Sequence, residues 1–397
     1  MKGDKAQLQD RCTTSDGHTS EKTAEERTKE SDNLKTAPTA GTDTDGKSPV
    51  PNTAAPVESK VNIPEAKPKK KEEKRTGTQK KKFGRHAAQM LPNGTMLMNK
   101  FRIGAMIGGG GFGQIYRASD MHRELMVAVK VEPTEHDPGR MILEQKVLTS
   151  LNGKPHIPVI LASGIHEKIC NFIVMELLGK NISELKKKQP GKRLSNGTVF
   201  RIMQHAVTAL QTLHQVGYIH RDVKPSNMCI GLHGPLQQHR TLYLVDFGMV
   251  RRFRKDDGKQ RRKRKNAAFR GTVKYASLNV HDKKEQNVAD DFISLYYTII
   301  ELVEGSLPWR RRRNQNEIAT CKRQLRIEDL TCDLPAQVKE FYDTCYSYDP
   351  KHSFNYDKIM EICKKCVPDD VDDSTPFDWE VSKPKKNATL SCEAETQ

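Results

Sequence analysis

His220-Arg221-Asp222-Val223-Lys224-Pro225-Ser226-Asn227 and, a little downstream, Val245-Asp246-Phe247-Gly248 are the two stretches that settle how this chain folds. In fixed order they supply carboxylate, ammonium and amide side chains. These are the groups required around a metal-bound triphosphate when a phosphoryl group moves to a hydroxyl. Such a transfer asks little covalent chemistry of a protein and much charge placement. Asp222 is therefore expected to accept or orient the hydroxyl proton, Lys224 to neutralise the moving phosphoryl group, and Asn227 and Asp246 to hold the metal. Magnesium keeps several waters and takes few protein oxygens, so one carboxylate and one amide suffice. His220 and Phe247 are expected to pack internally.

Upstream, Ile107-Gly108-Gly109-Gly110-Gly111-Phe112-Gly113-Gln114-Ile115 places Gly108, Gly110 and Gly113 at G-x-G-x-x-G spacing, with Ile107 and Ile115 on two strands of a hairpin. Glycines here let backbone N–H groups approach phosphate oxygens. The spacing alone also fits a flexible loop or a dinucleotide turn. The latter wants a helix straight after it, whereas strand-like residues lead instead to Val127-Ala128-Val129-Lys130. Inside that β-branched run a lysine is costly unless its ammonium meets an anion. Phosphates supply one, and Glu144 supplies another from a helix expected over 140–150, whose apolar stripe is Met141, Leu143, Val147 and Leu148. Glu132, on the Lys130 strand, is expected to point away.

Where an activation segment would end in Ala-Pro-Glu, this chain reads Phe269-Arg270-Gly271-Thr272-Val273-Lys274-Tyr275-Ala276-Ser277-Leu278-Asn279-Val280-His281. With the motifs above, with Asp290-Asp291 and with Gly305-Ser306-Leu307-Pro308-Trp309-Arg310, the chain resembles eukaryotic protein kinases of the casein kinase I group. The stretch 271–279 is similar to the tau-tubulin kinase branch. The resemblance covers about 98–366 and implies an α+β fold of two lobes, a small β-rich N-lobe (about 98–178) and a larger helical C-lobe (about 179–366). It implies ATP and Mg2+ as cofactors, and Lys224 marks serine/threonine rather than tyrosine transfer. The nucleotide set it implies is Ile107, Gly108, Gly110, Gly113, Ile115, Ala128, Lys130, Glu144, Met175, Glu176 and Leu178. In that set Met175 guards the back of the adenine pocket, and Glu176 to Leu178 offer backbone groups to the base. Helices are expected over 199–216 and 291–303; Asp291 should cap the second and, by resemblance, steady the catalytic loop.

Between Phe253 and Ala267 the chain is dense in Arg and Lys. Such a run can be a solvated face, a nucleic-acid contact or a localisation signal. Its place beside the substrate groove favours attraction of acidic or already phosphorylated protein, and Arg251, Arg254, Arg261, Arg262 and Lys274 are the candidate anion contacts. No Ser, Thr or Tyr lies between Asp246 and Phe269, so activation by phosphorylation within that loop is excluded and the enzyme is expected to be active as synthesised. A catalytically weak scaffold that binds acidic partners is the alternative. It is disfavoured because Lys130, Glu144, Asp222, Asn227 and Asp246 are all retained. Nucleic-acid binding is disfavoured because the basic runs carry no groove-reading motif.

The chain has 397 residues, a formal charge of +17 and a hydrophobic fraction of 35%. The apolar deficit is concentrated at 1–95, rich in Lys, Glu, Ser and Thr, which reads as a disordered tail that cannot bury enough surface to offset ordering. Basic runs at Lys67-Pro68-Lys69-Lys70-Lys71 and Lys80-Lys81-Lys82 lie within it. Residues 369–397 read as a flexible acidic tail able to fold back on the cationic loop. Nine scattered cysteines, no signal peptide and no apolar run long enough to cross a bilayer suggest reduced thiols and a cytoplasmic protein, with the nucleus as alternative. Cys363 and Cys366 are expected to be half-buried helix cysteines rather than zinc ligands. A monomer acting on protein substrates, cytoskeletal ones among them, completes the expectation.

Overall fold

A computed structural model describes residues 83–381 apart from 85, 136–137, 233–237 and 332–333. The basic runs at 67–71 and 80–82, and the chain beyond 381, lie outside the described residues. Strands β1 (Met96–Leu97), β2 (Phe101–Gly109), β3 (Gln114–Asp120), β4 (Leu125–Pro133), β5 (Ile160–His166) and β6 (Cys170–Glu176) form one antiparallel sheet in the order β1-β2-β3-β4-β6-β5. Alternation divides β4 between two faces. Val127, Val129 and Val131 bury themselves with Phe101, Ile103, Tyr116, Phe172 and Val174 in the small-lobe core. Ala128 and Lys130 therefore face the other way. On that face the register aligns Gly108 with Ile115, Ile115 with Lys130, and Lys130 with Ile173. Glycine-loop strand and lysine thus share one row. Helix α1 (Pro138–Ser150) spans the expected helix, and its Met141, Val147 and Leu148 pack in one cluster with Ile173.

The large lobe is helical: α2 (Ile182–Lys187), α3 (Asn196–Gln215), α4 (Leu278–His281), α5 (Val288–Glu304), α6 (Gln315–Gln324), α7 (Ile327–Thr331), α8 (Gln337–Tyr346) and α9 (Tyr356–Lys365). Short pairs β7 (Tyr218–Ile219) with β10 (Arg251–Arg252), and β8 (Met228–Ile230) with β9 (Leu242–Leu244), frame the loops between α3 and the activation segment. Helix α5 is buried on nearly every face from Val288 to Ile300, as a helix with apolar residues all round must be. Its hydroxyls turn inward on the backbone: Ser294 donates to Asp290 O at 3.0 Å and Thr298 to Ser294 O at 3.0 Å. Cys363 and Cys366 lie in the core, with 0% and 2% exposure, more deeply buried than expected.

Both tail boundaries read from composition need correction. Leu91 is 2% exposed in the small-lobe core. Next to it the Met90 N–H donates to Gln114 Oε1 at 2.8 Å, Gln114 Nε2 donates to Ala88 O at 2.7 Å, and Phe83 forms a β-bridge with Gly110. The last stretch of the presumed tail is therefore part of the domain. Two apolar residues, Met90 and Leu91, suffice to anchor it although the surrounding composition is polar. At the other end Phe377 is 3% exposed, and Asp378 accepts the Ser195 N–H and hydroxyl, each at 2.7 Å. Arg201 donates to Asp372 O at 2.7 Å and Thr375 O at 2.8 Å. The acidic stretch thus docks beside α3 rather than on the cationic activation segment. The Asp372 carboxylate is engaged by its own turn, accepting the Ser374 and Thr375 N–H groups at 3.0 and 2.8 Å.

Candidate active site

Lys130 donates to both carboxylate oxygens of Glu144 at 2.7 Å and to Asp246 Oδ1 at 2.9 Å. Spacing puts Glu144 there: it stands one helical turn from Met141, Val147 and Leu148, so burying that stripe carries the carboxylate inward to 1% exposure. Burial opposes charge on Lys130, but Asp246, Glu144 and Glu132 outweigh it and hold the ammonium above its ordinary pKa. Lys130 in turn holds Asp246 well below the usual carboxylate range, whereas burial raises Glu144. Gly248 completes the cluster. A Cβ there would stand 3.1 Å from Glu144 Oε2 and 3.4 Å from Lys130 Nζ, so a side chain would press on the ion pair.

Glu132 does not point away from Lys130. Residues two apart on a strand share a face, and Glu132 Oε1 lies 3.9 Å from Lys130 Nζ while pairing with Arg140. Arg140 also covers the Phe112 ring, 3.7 Å from its centroid, which ties the tip of the glycine loop to α1.

Below the cleft, Asp222 is 8% exposed and fully engaged. Lys224 Nζ donates to Asp222 Oδ2 at 2.6 Å, and Asn227 Nδ2 to Asp222 O at 2.9 Å and Oδ2 at 3.2 Å. Thr272 Oγ1 donates to Asp222 Oδ1 at 2.6 Å and accepts from Lys224 at 2.9 Å. In the sequence Thr272 stands out only as part of the stretch 269–281; nothing in its spacing links it to a residue so distant in sequence. Asp291 accepts the backbone N–H groups of His220 and Arg221, each at 2.7 Å, and lies 3.0 Å from His214 Nε2. It does not cap its own helix. That falls to Asn287 and Asp290, which form a capping box, and Asp291 is left to hold the catalytic loop. Phe247 is 1% exposed and meets His220 edge to face at 5.4 Å, the internal packing expected of both.

The donor set fits a hard divalent cation. With its amide nitrogen spent on Asp222, Asn227 has its Oδ1 left as an acceptor, and Asp246 supplies a carboxylate that is 41% exposed. Among the described residues no group of three or more His, Cys, Asp and Glu side chains gathers as a metal site. Asn227 and Asp246 would therefore share such an ion with the phosphates of its nucleotide. On the adenine side Ala128 pairs with Met175 in register, so both line the cleft face of the sheet. Glu176 turns its N–H to Val159 O at 2.9 Å and its carboxylate to Val159 N at 3.3 Å. Its N–H is thus not free for a base. Leu178 follows directly in the linker between the lobes.

The anion candidates divide. Arg261 and Arg262 line a shallow groove together with Arg251, Arg252 and Lys263. Arg251 is already paired with Glu285 at 2.6 Å and Lys274 with Glu301 at 2.8 Å, so neither is an open contact. Arg254 lies 5.3 Å from the Phe253 ring.

The model of the protein kinase domain matches residues 101–366. A Caenorhabditis elegans protein named as a casein kinase I is 40% identical over 294 residues, covering 72% of this chain and 85% of that protein. A Dictyostelium discoideum protein named as a serine/threonine-protein kinase is 37% identical over 289 residues, covering 72% of this chain and 58% of that one. Another Caenorhabditis elegans protein, also named as a serine/threonine-protein kinase, is 32% identical over 309 residues and covered to 88%. Use of ATP with a divalent metal, and protein as acceptor, go with that domain. The chain belongs to the protein kinase family and is a serine/threonine kinase of the casein kinase I type.

Proposed function

We propose that this kinase transfers the γ-phosphate of MgATP to serine and threonine hydroxyls of acidic or pre-phosphorylated proteins, and that it does so as synthesised. Asp222 takes the acceptor proton, Lys224 steadies the phosphoryl oxygens, Lys130 meets the α- and β-phosphates, and Asn227 and Asp246 hold the metal, whose charge offsets that of the phosphates. The observation that carries this reading is a pair of networks, Lys130 with Glu144 and Asp246 above, and Asp222 with Lys224 and Thr272 below.

Activity without loop phosphorylation is supported by how the activation segment is held. Arg221 donates to Met249 O at 2.6 Å and Val250 O at 3.2 Å, while Glu285 bridges Arg251 and Arg264, each at 2.6 Å. A carboxylate thus already occupies the arginine pair that a phosphate would otherwise bridge. The acidic preference rests on the cationic groove, and a cytoskeletal substrate rests on the tau-tubulin-like stretch 271–279. We further propose a monomer, and a cytoplasmic setting consistent with the free cysteines among the described residues. No helix of the described residues is long and apolar enough to cross a membrane.

Transfer from labelled ATP to casein and to matched acidic, neutral and basic serine peptides tests this, with Asp222→Asn as control. Unphosphorylated parent should label the acidic peptide best, and the preference should shrink as salt rises, since the screening length is about 8 Å at 0.15 M. Equal labelling of all three peptides removes the substrate proposal. Equal labelling by parent and Asp222→Asn removes the assigned role of Asp222.

A further inference from the structure

Lys322, on α6, is a lysine almost wholly inside the protein, 7% exposed, and among the described residues no carboxylate forms an ion pair with it. Its ammonium donates to Val273 O at 3.0 Å and Ala276 O at 2.6 Å, and lies 3.3 Å from His281 Nε2. Two aromatic faces complete the cage, with Tyr297 and Trp309 centroids 4.8 and 4.9 Å away. Burial alone brings this group down to about 7, so the fold bears a cost to keep an ammonium here. His281 adds no second charge to the cage. Burial with the charges of Lys322 and Arg323 holds that imidazole down at about 4, so it stays neutral beside the lysine. The nearby carboxylate of Asp282 is paired with Arg323 instead.

What the ammonium grips is informative. Val273 and Ala276 belong to the segment that begins at Thr272, the hydroxyl bonded to Asp222. Between the two gripped carbonyls, Lys274 O accepts Trp309 Nε1 at 2.9 Å. One side chain of α6 and one indole of the loop before it therefore fix three carbonyls of this short stretch. Because the contacts are to backbone oxygens, they hold the shape of the segment whatever its side chains are. In this chain the segment ends in Ser277-Leu278-Asn279, which carries no charge to anchor it. Ser277 is instead tied to Asp290 at 2.5 Å.

We propose that Lys322 is a positioning residue for the protein substrate: by holding the Val273 and Ala276 carbonyls it keeps residues 272–276 in the shape that presents an acceptor hydroxyl to Asp222. This rests on the role proposed above for Asp222, beside which the Thr272 bond places this segment. Lys322 touches neither nucleotide-binding residues nor Asp222, so its loss acts on the peptide and leaves the nucleotide alone.

The test is initial-rate kinetics of the full chain with a serine peptide and ATP varied separately, for parent, Lys322→Met and Trp309→Phe. Methionine keeps the apolar stem and removes the donors; phenylalanine keeps the ring under Lys322 and removes only the bond to Lys274 O. Lys322→Met should raise the KM for peptide about tenfold or more, as loss of hydrogen bonds from a charged donor implies. Trp309→Phe should raise it in the same direction by less. For both variants the KM for ATP and the calorimetric Kd for a non-hydrolysable ATP analogue should stay within about twofold of parent. An unchanged peptide KM in Lys322→Met overturns the proposal, as does a parallel loss of ATP and peptide affinity. Should Lys322→Met fail to fold, an unchanged peptide KM in Trp309→Phe overturns it. A parent that labels no peptide at all removes instead the reading on which the proposal rests.

Discussion

Thr272 and Asp222 are joined by a 2.6 Å hydrogen bond from the threonine hydroxyl to Oδ1, and Lys224 Nζ bridges the pair at 2.9 and 2.6 Å. The carboxylate is thereby fixed in rotation. An acceptor proton needs a base within hydrogen-bond reach in one orientation, and general-base catalysis is worth about 10² to 10⁴ in rate. Thr272→Val should therefore lower kcat by about 10²-fold with the Kd for nucleotide unchanged, and Thr272→Ser should keep most of the activity. Single-turnover transfer to a serine peptide measures it.

Lys130 and Glu144 form a buried ion pair, and removing one partner leaves the other charge uncompensated. Breaking such a pair costs about 3–5 kcal/mol. Lys130→Met should thus lower the melting temperature, and Lys130→Met with Glu144→Gln should recover part of that loss while remaining inactive. Thermal unfolding of the three proteins, with the transfer assay alongside, checks this. A double variant no more stable than the single one would show that the Glu144 charge is not what destabilises Lys130→Met.

His156 and His205 stack at 4.4 Å and divide one residue between them: His156 Nδ1 meets Leu242 O at 3.0 Å, and His205 Nδ1 accepts Leu242 N at 3.2 Å. Burial, together with His156 and Arg201, lowers His205 to about 4, and burial lowers His156 as well. The folded pKa lies below the 6.5 of a free imidazole. The stability it contributes is present above 6.5 and is lost as pH falls through the window from 6.5 to 4, on the order of 3 kcal/mol. Urea unfolding at stepped pH should show this loss in the parent and a flatter profile in His205→Asn.

Gly109 is not one of the spaced glycines of the phosphate loop, yet a Cβ on it would stand 2.2 Å from Phe83 O. The N-terminal stretch lies across it. Gly109→Ala must displace that strap and should raise the KM for ATP severalfold, whereas Gly111→Ala, with nothing within 4 Å, should change it less than about twofold. ATP titrations of the two variants distinguish a braced loop from a free one.

How far the fold could be read depended on the kind of signal. Alternation in β4 and the stripe of α1 are local, and they located Lys130 and Glu144 before any tertiary contact was known. The Glu132 side chain was misplaced by overlooking the same two-residue period. Asp291 reads as a cap because a carboxylate at a helix start commonly caps; Asn287 and Asp290 do so instead, and Asp291 keeps the other part the resemblance implies, reaching back to His220 and Arg221. The tail boundaries lie further out than composition implies because composition averages over windows, while Leu91 and Phe377 are single apolar residues that each fill a place in the core.

Order and residue type alone determined the family and the two lobes, because each motif is complete within a few residues. Tertiary structure alone decided which of the cations are already paired with carboxylates. Arg251 and Lys274 look as available as Arg261 and Arg262 in a string of letters, but Glu285 and Glu301, distant in sequence, neutralise the first two and leave the others at the groove. The physical reason is that charge pairing depends on distance in space, and a sequence records only separation along the chain.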